Sequence, residues 1–163
     1  MARPYHYTID TKAVIGKLNQ ILEAELAGTV RYTHYSLMIF GYSRIPIVSW
    51  LRAQANETLL HAQQAGELVT HLGGHPSLGI GTLLESHQHD IGAIMREALE
   101  SEHETLKLYF ELLQLVEGQA VPLEEYARDM IRQEEMHLDE IDKMLRKPGD
   151  IAISPVTEEV TAK

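Results

Sequence analysis

Apolar residues recur at three- and four-residue spacing through most of the chain, the period of helices that bury one face. From about Asp10 to Gly41 the stripe is Val14, Leu18, Ile21, Leu22, Tyr32, Tyr35 and Ile39, with Asp10 or Thr11 placed to cap its start. A second helix opens near Pro46, which has no N–H to lose in a first turn. It carries Ile47, Trp50, Leu51, Ala62, Ala65, Leu68, Val69 and Leu72 to a stop at Gly73-Gly74. The third runs from about Ser86 to Gly118 on Ile91, Ile94, Met95, Leu99, Leu106, Phe110 and Leu113. The fourth opens at Pro122 and follows Met130, Ile131, Leu138, Ile141 and Leu145 to Pro148-Gly149. Strand signals are almost absent.

Helices of about 25 to 32 residues span roughly 38–48 Å each at 1.5 Å per residue. The first and second are joined by a short turn, as are the third and fourth. Between the pairs lies a Gly-rich connector, His75 to Glu85. If it spans the length of the molecule, the fold is all-α: a four-helix bundle with one long crossover between helices two and three. A single domain over residues 1–163 is expected, with the bundle at about 10–146 and an extended tail at 147–163.

Several carboxylates interrupt the apolar stripes rather than the polar faces. Glu25 follows Leu18, Ile21 and Leu22 by seven, four and three residues, and Glu102 follows Met95 and Leu99 by seven and three. Glu134 follows Met130 and Ile131 by four and three, and His137 precedes Ile141 by four. These residues point inward at similar depths along their helices. They also form a two-fold repeat. Glu25, Tyr32 and His61 are matched by Glu102, Tyr109 and His137, each tyrosine seven residues after its glutamate and each histidine 36 or 35 after. The second half contains Glu134-x-x-His137, whereas the matching place before His61 holds Thr58.

Composition narrows what such a layer is for. The 163 residues are enough for one buried core, and the absence of cysteine excludes disulfides and thiolate sites. A net charge of −10 argues against direct nucleic-acid binding, which needs clustered Lys and Arg. No run approaches the roughly 20 apolar residues of a membrane span. MARPYHYTID lacks a signal-peptide core, so a cytoplasmic location is expected. Buried carboxylates need partners. No lysine or arginine shares the stripes at that depth, which leaves a metal. Oxygen and imidazole donors without thiolate suit iron or manganese, with zinc as competitor, and bridging carboxylates in a bundle centre favour two ions.

These residues resemble the ferritin-like di-iron family, bacterioferritins most closely, over about residues 10–146. LNQILEAELAGTVRY is similar to the family's first-helix segment, ALESEHETLKLY to its third and IRQEEMHLDEI to its fourth. The resemblance implies terminal ligands Glu25 and Glu102, a bridging Glu134, histidine ligands His61 and His137, and Tyr32 beside the centre. It implies uptake and oxidation of Fe2+ by O2 or peroxide, storage or detoxification of Fe3+, and a homo-oligomer from a dimer up to a 12- or 24-subunit shell. Three departures stand out. Thr58 replaces the second bridging glutamate, and Glu57, one residue away, is placed either to lean into the site as a substitute ligand or to face the inner surface of a shell and hold an incoming ion. Leu59 stands where bacterioferritins carry a haem-binding methionine, so haem is not expected. KPGDIAISPVTEEVTAK replaces the family's short fifth helix.

The same residues also fit a non-storage di-metal oxidoreductase, or a structural protein with a degenerate site. Ser86-His87-Gln88-His89-Asp90 offers a helix cap with solvated histidines or a second metal site. Tyr109 is most simply a core aromatic. Tyr35, Trp50 and Leu83 are expected to have little cover within the chain and so to support self-association.

Overall fold

The computed structural model describes residues 7–83 and 85–151; most of the expected tail, residues 152–163, lies outside the described residues, as do residues 1–6. The described residues form α1 (Thr11–Met38), α2 (Arg44–His71), α3 (Ile91–Val116) and α4 (Val121–Leu145), with no strand among them. Asp10 caps α1, its side chain accepting from Ala13 N at 3.0 Å. Pro46 and Pro122 sit in the first turns of α2 and α4, where an N–H has no intrahelical partner.

α3 begins five residues later than the expected Ser86, because Asp90 is its N-cap and accepts from Ala93 N at 3.0 Å. The preceding residues are committed elsewhere. Ser86 N donates to Glu97 at 2.8 Å, His87 N donates to Glu85 at 2.5 Å, and His87 has a φ of +56°.

The crossover runs back along α1. Asn19 donates to His75 O and accepts from Ser77 N; further on, Glu23 O accepts from Gly81 N at 2.8 Å and Arg31 donates to Thr82 O at 2.9 Å. Both segments advance together, so the crossover is parallel to α1 and delivers α3 to the end where α2 began. Glycine at position 81 lets the crossover approach α1 closely, since a Cβ there would crowd the helix backbone at 3.0 Å from Glu23 O and 3.1 Å from Ala24 Cα. α3 is antiparallel to α1, with Lys17 against Glu111, Glu25 against Tyr109, Tyr32 against Glu102 and Tyr35 against Glu97.

Two apolar clusters fill the bundle. One joins Leu18, Ile21, Ala65, Val69, Leu112, Leu123 and Met130. The other joins Tyr35, Ile39, Leu51, Ile94, Met95 and Ile141. Each fully buried aliphatic side chain stabilises by about 1.5–3 kcal/mol, so the clusters can carry a costly polar layer between them.

Two expectations are corrected. Phe110 is exposed, because α3 turns Glu102, Thr105, Tyr109, Leu112 and Val116 inward, a stripe one position round from Leu106, Phe110 and Leu113. Tyr35 is covered within the chain, 2% exposed, with its hydroxyl donating to Glu97 at 2.6 Å. Trp50 is half-buried and Leu83 exposed.

Candidate metal centre

Between the two clusters, all four helices deliver polar side chains to one layer. Glu25, His61, Glu102 and Glu134 are each at most 5% exposed. Their inward direction follows from heptad-like spacing to buried neighbours: Leu18 and Glu25 on α1, Met95 and Glu102 on α3, Ile131 and Glu134 on α4.

The layer converges on Glu134. His61 Nδ1 lies 3.1 Å from Glu134 Oε1 and 3.6 Å from Glu25 Oε1. These three residues can place one donor atom each within 4.8 Å of one another. His137 Nδ1 lies 3.8 Å from Glu134 Oε2, and its ring stacks on that of His61 with centroids 6.4 Å apart. Both imidazoles therefore turn Nδ1 toward the same carboxylate. Glu102 belongs to the layer through its contact with Glu134 and through Tyr32, whose hydroxyl donates to Glu102 Oε1 at 2.6 Å.

Three neighbours complete the picture. Tyr109 donates to Glu25 Oε1 at 2.6 Å, the mirror of the Tyr32–Glu102 bond. Sequence reasoning treated Tyr109 as core; it is fully buried, yet its hydroxyl also belongs to the site. The signal was the repeat itself, since two Glu-x6-Tyr segments on antiparallel helices put each tyrosine opposite the other's glutamate. Glu57 Oε1 lies 3.2 Å from His137 Nε2, the ring nitrogen away from Glu134. Thr58 is buried; its hydroxyl bonds with Thr29 Oγ1 at 3.0 Å and donates to Ala55 O at 3.2 Å. Gly28 faces it so closely that a Cβ there would stand 3.2 Å from the Thr58 methyl.

Electrostatics show the strain of crowding these groups. Burial raises Glu25, outweighing the contacts with His61 and Tyr109 that favour its charge. Burial also pushes Glu102 up to about 8, reinforced by the Glu134 charge and opposed by Tyr32. Burial would raise Glu134 as well, but its close contacts with His137, His61 and Glu102 hold it down to about 2. Desolvation disfavours charge on the histidines. The carboxylates win, raising His61 to about 10 through Glu134 and Glu25, and His137 to about 9 through Glu134, Glu57 and Glu102. In the absence of a metal ion, protons must supply the positive charge of the layer.

The donor set fits a hard or borderline cation. His61 Nδ1 and Glu134 Oε1 are buried, face each other and have no hydrogen-bond partner, an arrangement a cation would satisfy. Carboxylate and imidazole donors suit iron, manganese or zinc.

No helix among the described residues is long and apolar enough to cross a membrane. No curated protein matches the sequence. Among solved structures, the fold is similar to a ferritin-like, diiron-carboxylate protein from Bacillus anthracis str. Ames, with a TM-score of 0.80 and 25% identity, covering 84% of this chain and 98% of that one. It is also similar to the bacterioferritin-related, dodecameric thioferritin of Bacteroides fragilis, at 0.78 and 21% over 84% and 86% of the two chains. A bacterioferritin from Rhodobacter capsulatus, with a metal-free dinuclear site and haem iron, aligns at 0.75 and 23% over 82% and 84%. The last two likenesses concern the fold alone. Residues 15–149 match the family model of the ferritin-like domain, and the chain belongs to that family.

Proposed function

We propose that the chain takes up Fe2+, oxidises it at a modified di-iron centre and stores or detoxifies the Fe3+ formed. The observation that carries this reading is a layer of three buried carboxylates, the buried His61 and the partly buried His137, with unpartnered atoms His61 Nδ1 and Glu134 Oε1 facing each other. The ferritin-like diiron-carboxylate fold supports iron binding. Glu25, Glu102 and Glu134 would hold the iron through their carboxylates, with His61 and His137 each offering Nδ1. Iron brings the redox chemistry, with O2 or peroxide as electron acceptor.

The protein's own groups set the conditions. Carboxylates favour the ferric product over the ferrous substrate, because their charge offsets the extra positive charge in a low-dielectric interior. Tyr32 and Tyr109 hold Glu102 and Glu25 in place through 2.6 Å hydrogen bonds. Glu57 acts as the outer carboxylate of His137, fixing the ring so that Nδ1 faces inward. Thr58, tied to Thr29 and Ala55, adds no charge, so one of the two metal positions is the weaker. Haem is left out of the proposal: Leu59 stands at the methionine position and offers no ligand atom.

The chain acts as a homo-oligomer in this reading. Phe40, Tyr42 and Ile45 at the α1–α2 turn are 76% or more exposed, a costly surface for a monomer. The dodecameric relative supports a shell.

Iron loading tests the proposal. Fe2+ is added in air, loose iron is removed by gel filtration, and iron per chain is counted for the parent and for Glu134→Ala. Storage takes many ions per chain, and the variant should lose most of them. A parent that stops at two ions would point to a non-storage di-metal oxidoreductase. Unchanged stoichiometry in Glu134→Ala would sink the ligand assignment.

A further inference from the structure

We propose that His34, Glu85 and His89 form a second divalent-cation site, of the two-histidine, one-carboxylate type, where the crossover meets α1. It is independent of the central layer. His34 lies nine residues beyond Glu25 on α1, roughly 13 Å farther along the axis at 1.5 Å per residue.

Three side chains from two separate segments converge there. His34 Nε2 lies 2.7 Å from Glu85 Oε2, and His89 Nε2 lies 3.4 Å from Glu85 Oε1. The two imidazole rings stand edge-to-face with centroids 6.1 Å apart. One donor atom from each of the three residues falls within 4.8 Å of the others. Ligands held at about 2.0–2.2 Å from a tetrahedral Zn2+ lie roughly 3.4 Å apart. The 3.4 Å His89–Glu85 separation already matches, and the 2.7 Å His34–Glu85 pair needs to open by about 0.7 Å.

Hydrogen bonding does not account for the cluster by itself. His89 Nε2 is buried and has no hydrogen-bond partner, although a carboxylate oxygen is close by. A metal ion would take its lone pair. Glu85 is set in position by the 2.5 Å bond from His87 N, and His89 is anchored directly before the Asp90 cap of α3. His87, its side chain largely in solvent and Nδ1 3.8 Å from Glu85 Oε1, is near enough to supply a fourth donor; water is the other. The ion would tie the crossover to α1 and to the start of α3.

Zn2+ is a suitable probe, because it has no redox chemistry and prefers this donor set. Calorimetric titration of the full-length, metal-stripped protein is compared for the parent, Glu134→Ala and His34→Ala/His89→Ala. The double variant should bind one Zn2+ fewer per chain than the parent. Glu134→Ala should keep the crossover ion while losing central ions. Removing direct ligands should weaken this site by more than the roughly 10–100-fold typical of losing an outer partner. Anomalous scattering from parent crystals grown with Zn2+ should show a peak between His34, Glu85 and His89, which decides the matter even if the double variant folds poorly. A double variant binding as many ions as the parent with unchanged affinity would overturn the proposal. So would a map with the central layer occupied and no peak at the crossover. Either result leaves the central assignment standing, since that depends on Glu134→Ala.

Discussion

Thr58→Glu restores the carboxylate that the internal repeat calls for, and the structure says what this does with and without metal. Thr58 sits in a closed place, 5% exposed, with its methyl against Gly28 and its hydroxyl shared with Thr29 and Ala55. Losing that hydrogen bonding costs about 1 kcal/mol. Fitting a larger side chain into the layer costs about 1–3 kcal/mol more. Without metal, the new carboxylate must also stay protonated, because Glu25 and Glu102 already hold raised pKa values nearby. The metal-free variant should therefore be less stable than the parent by about 3 kcal/mol, which lowers Tm by roughly 6–12 °C for a chain of this size. Metal reverses the balance. A fourth carboxylate offsets the charge of a second cation in the low-dielectric interior, so the second binding step should tighten. Metal in hundredfold excess over Kd recovers about 2.7 kcal/mol, most of the deficit. The assay is thermal unfolding of parent and variant, each stripped and loaded with Zn2+, together with a two-step Zn2+ titration and the initial rate of Fe2+ oxidation. Zn2+ should recover much of the lost Tm, and the variant should oxidise Fe2+ faster. If the variant binds and oxidises no better than the parent while Glu57→Ala abolishes the second step, then Glu57 is a ligand and the deficient centre is wrong.

Further outcomes follow from the same geometry. Glu57→Ala should weaken metal binding by roughly 10–100-fold, as expected for an outer partner, without removing a metal position; loss of a full equivalent in a titration contradicts the outer role. Tyr109→Phe deletes the 2.6 Å bond to Glu25 and should weaken metal affinity over a similar range, roughly 10–100-fold, with the helices intact by circular dichroism; unchanged affinity would return Tyr109 to a purely apolar role. The metal-free protein should lose stability as pH rises. Glu102 is raised from 4.5 to about 8, His61 from 6.5 to about 10 and His137 from 6.5 to about 9, so the folded state holds more protons than the unfolded state across these windows. The contribution of Glu134, lowered to about 2, runs the other way and is lost only as pH falls below 4.5. Tm of stripped protein measured from pH 6 to 9 should decline, and a rising curve would refute this charge accounting. Finally, the chain should run as an oligomer in size-exclusion light scattering, and Phe40→Asp should reduce its mass; a monomer at micromolar concentration would refute the association.

Periodicity was enough to find the four helices, their order and the inward-facing Glu25, Glu102, Glu134 and His137, because a helix repeats its burial every three or four residues regardless of its neighbours. The repeat also made Thr58 stand out. Where several apolar residues share a wide arc, the pattern does not say which the neighbouring helices cover: Leu112 is buried on α3 and Phe110 is not. Capping competition behaved similarly, since Asp90 rather than Ser86 starts α3 only because Glu85 and Glu97 engage the residues before it. The contacts that define the site's chemistry join residues far apart in sequence. Tyr32 meets Glu102, Tyr109 meets Glu25, Glu57 meets His137, and His34 meets Glu85 and His89. Local propensity carries no term for such pairs. They exist because the crossover runs parallel to α1 and sets α3 antiparallel to it, and that is decided by how the helices pack.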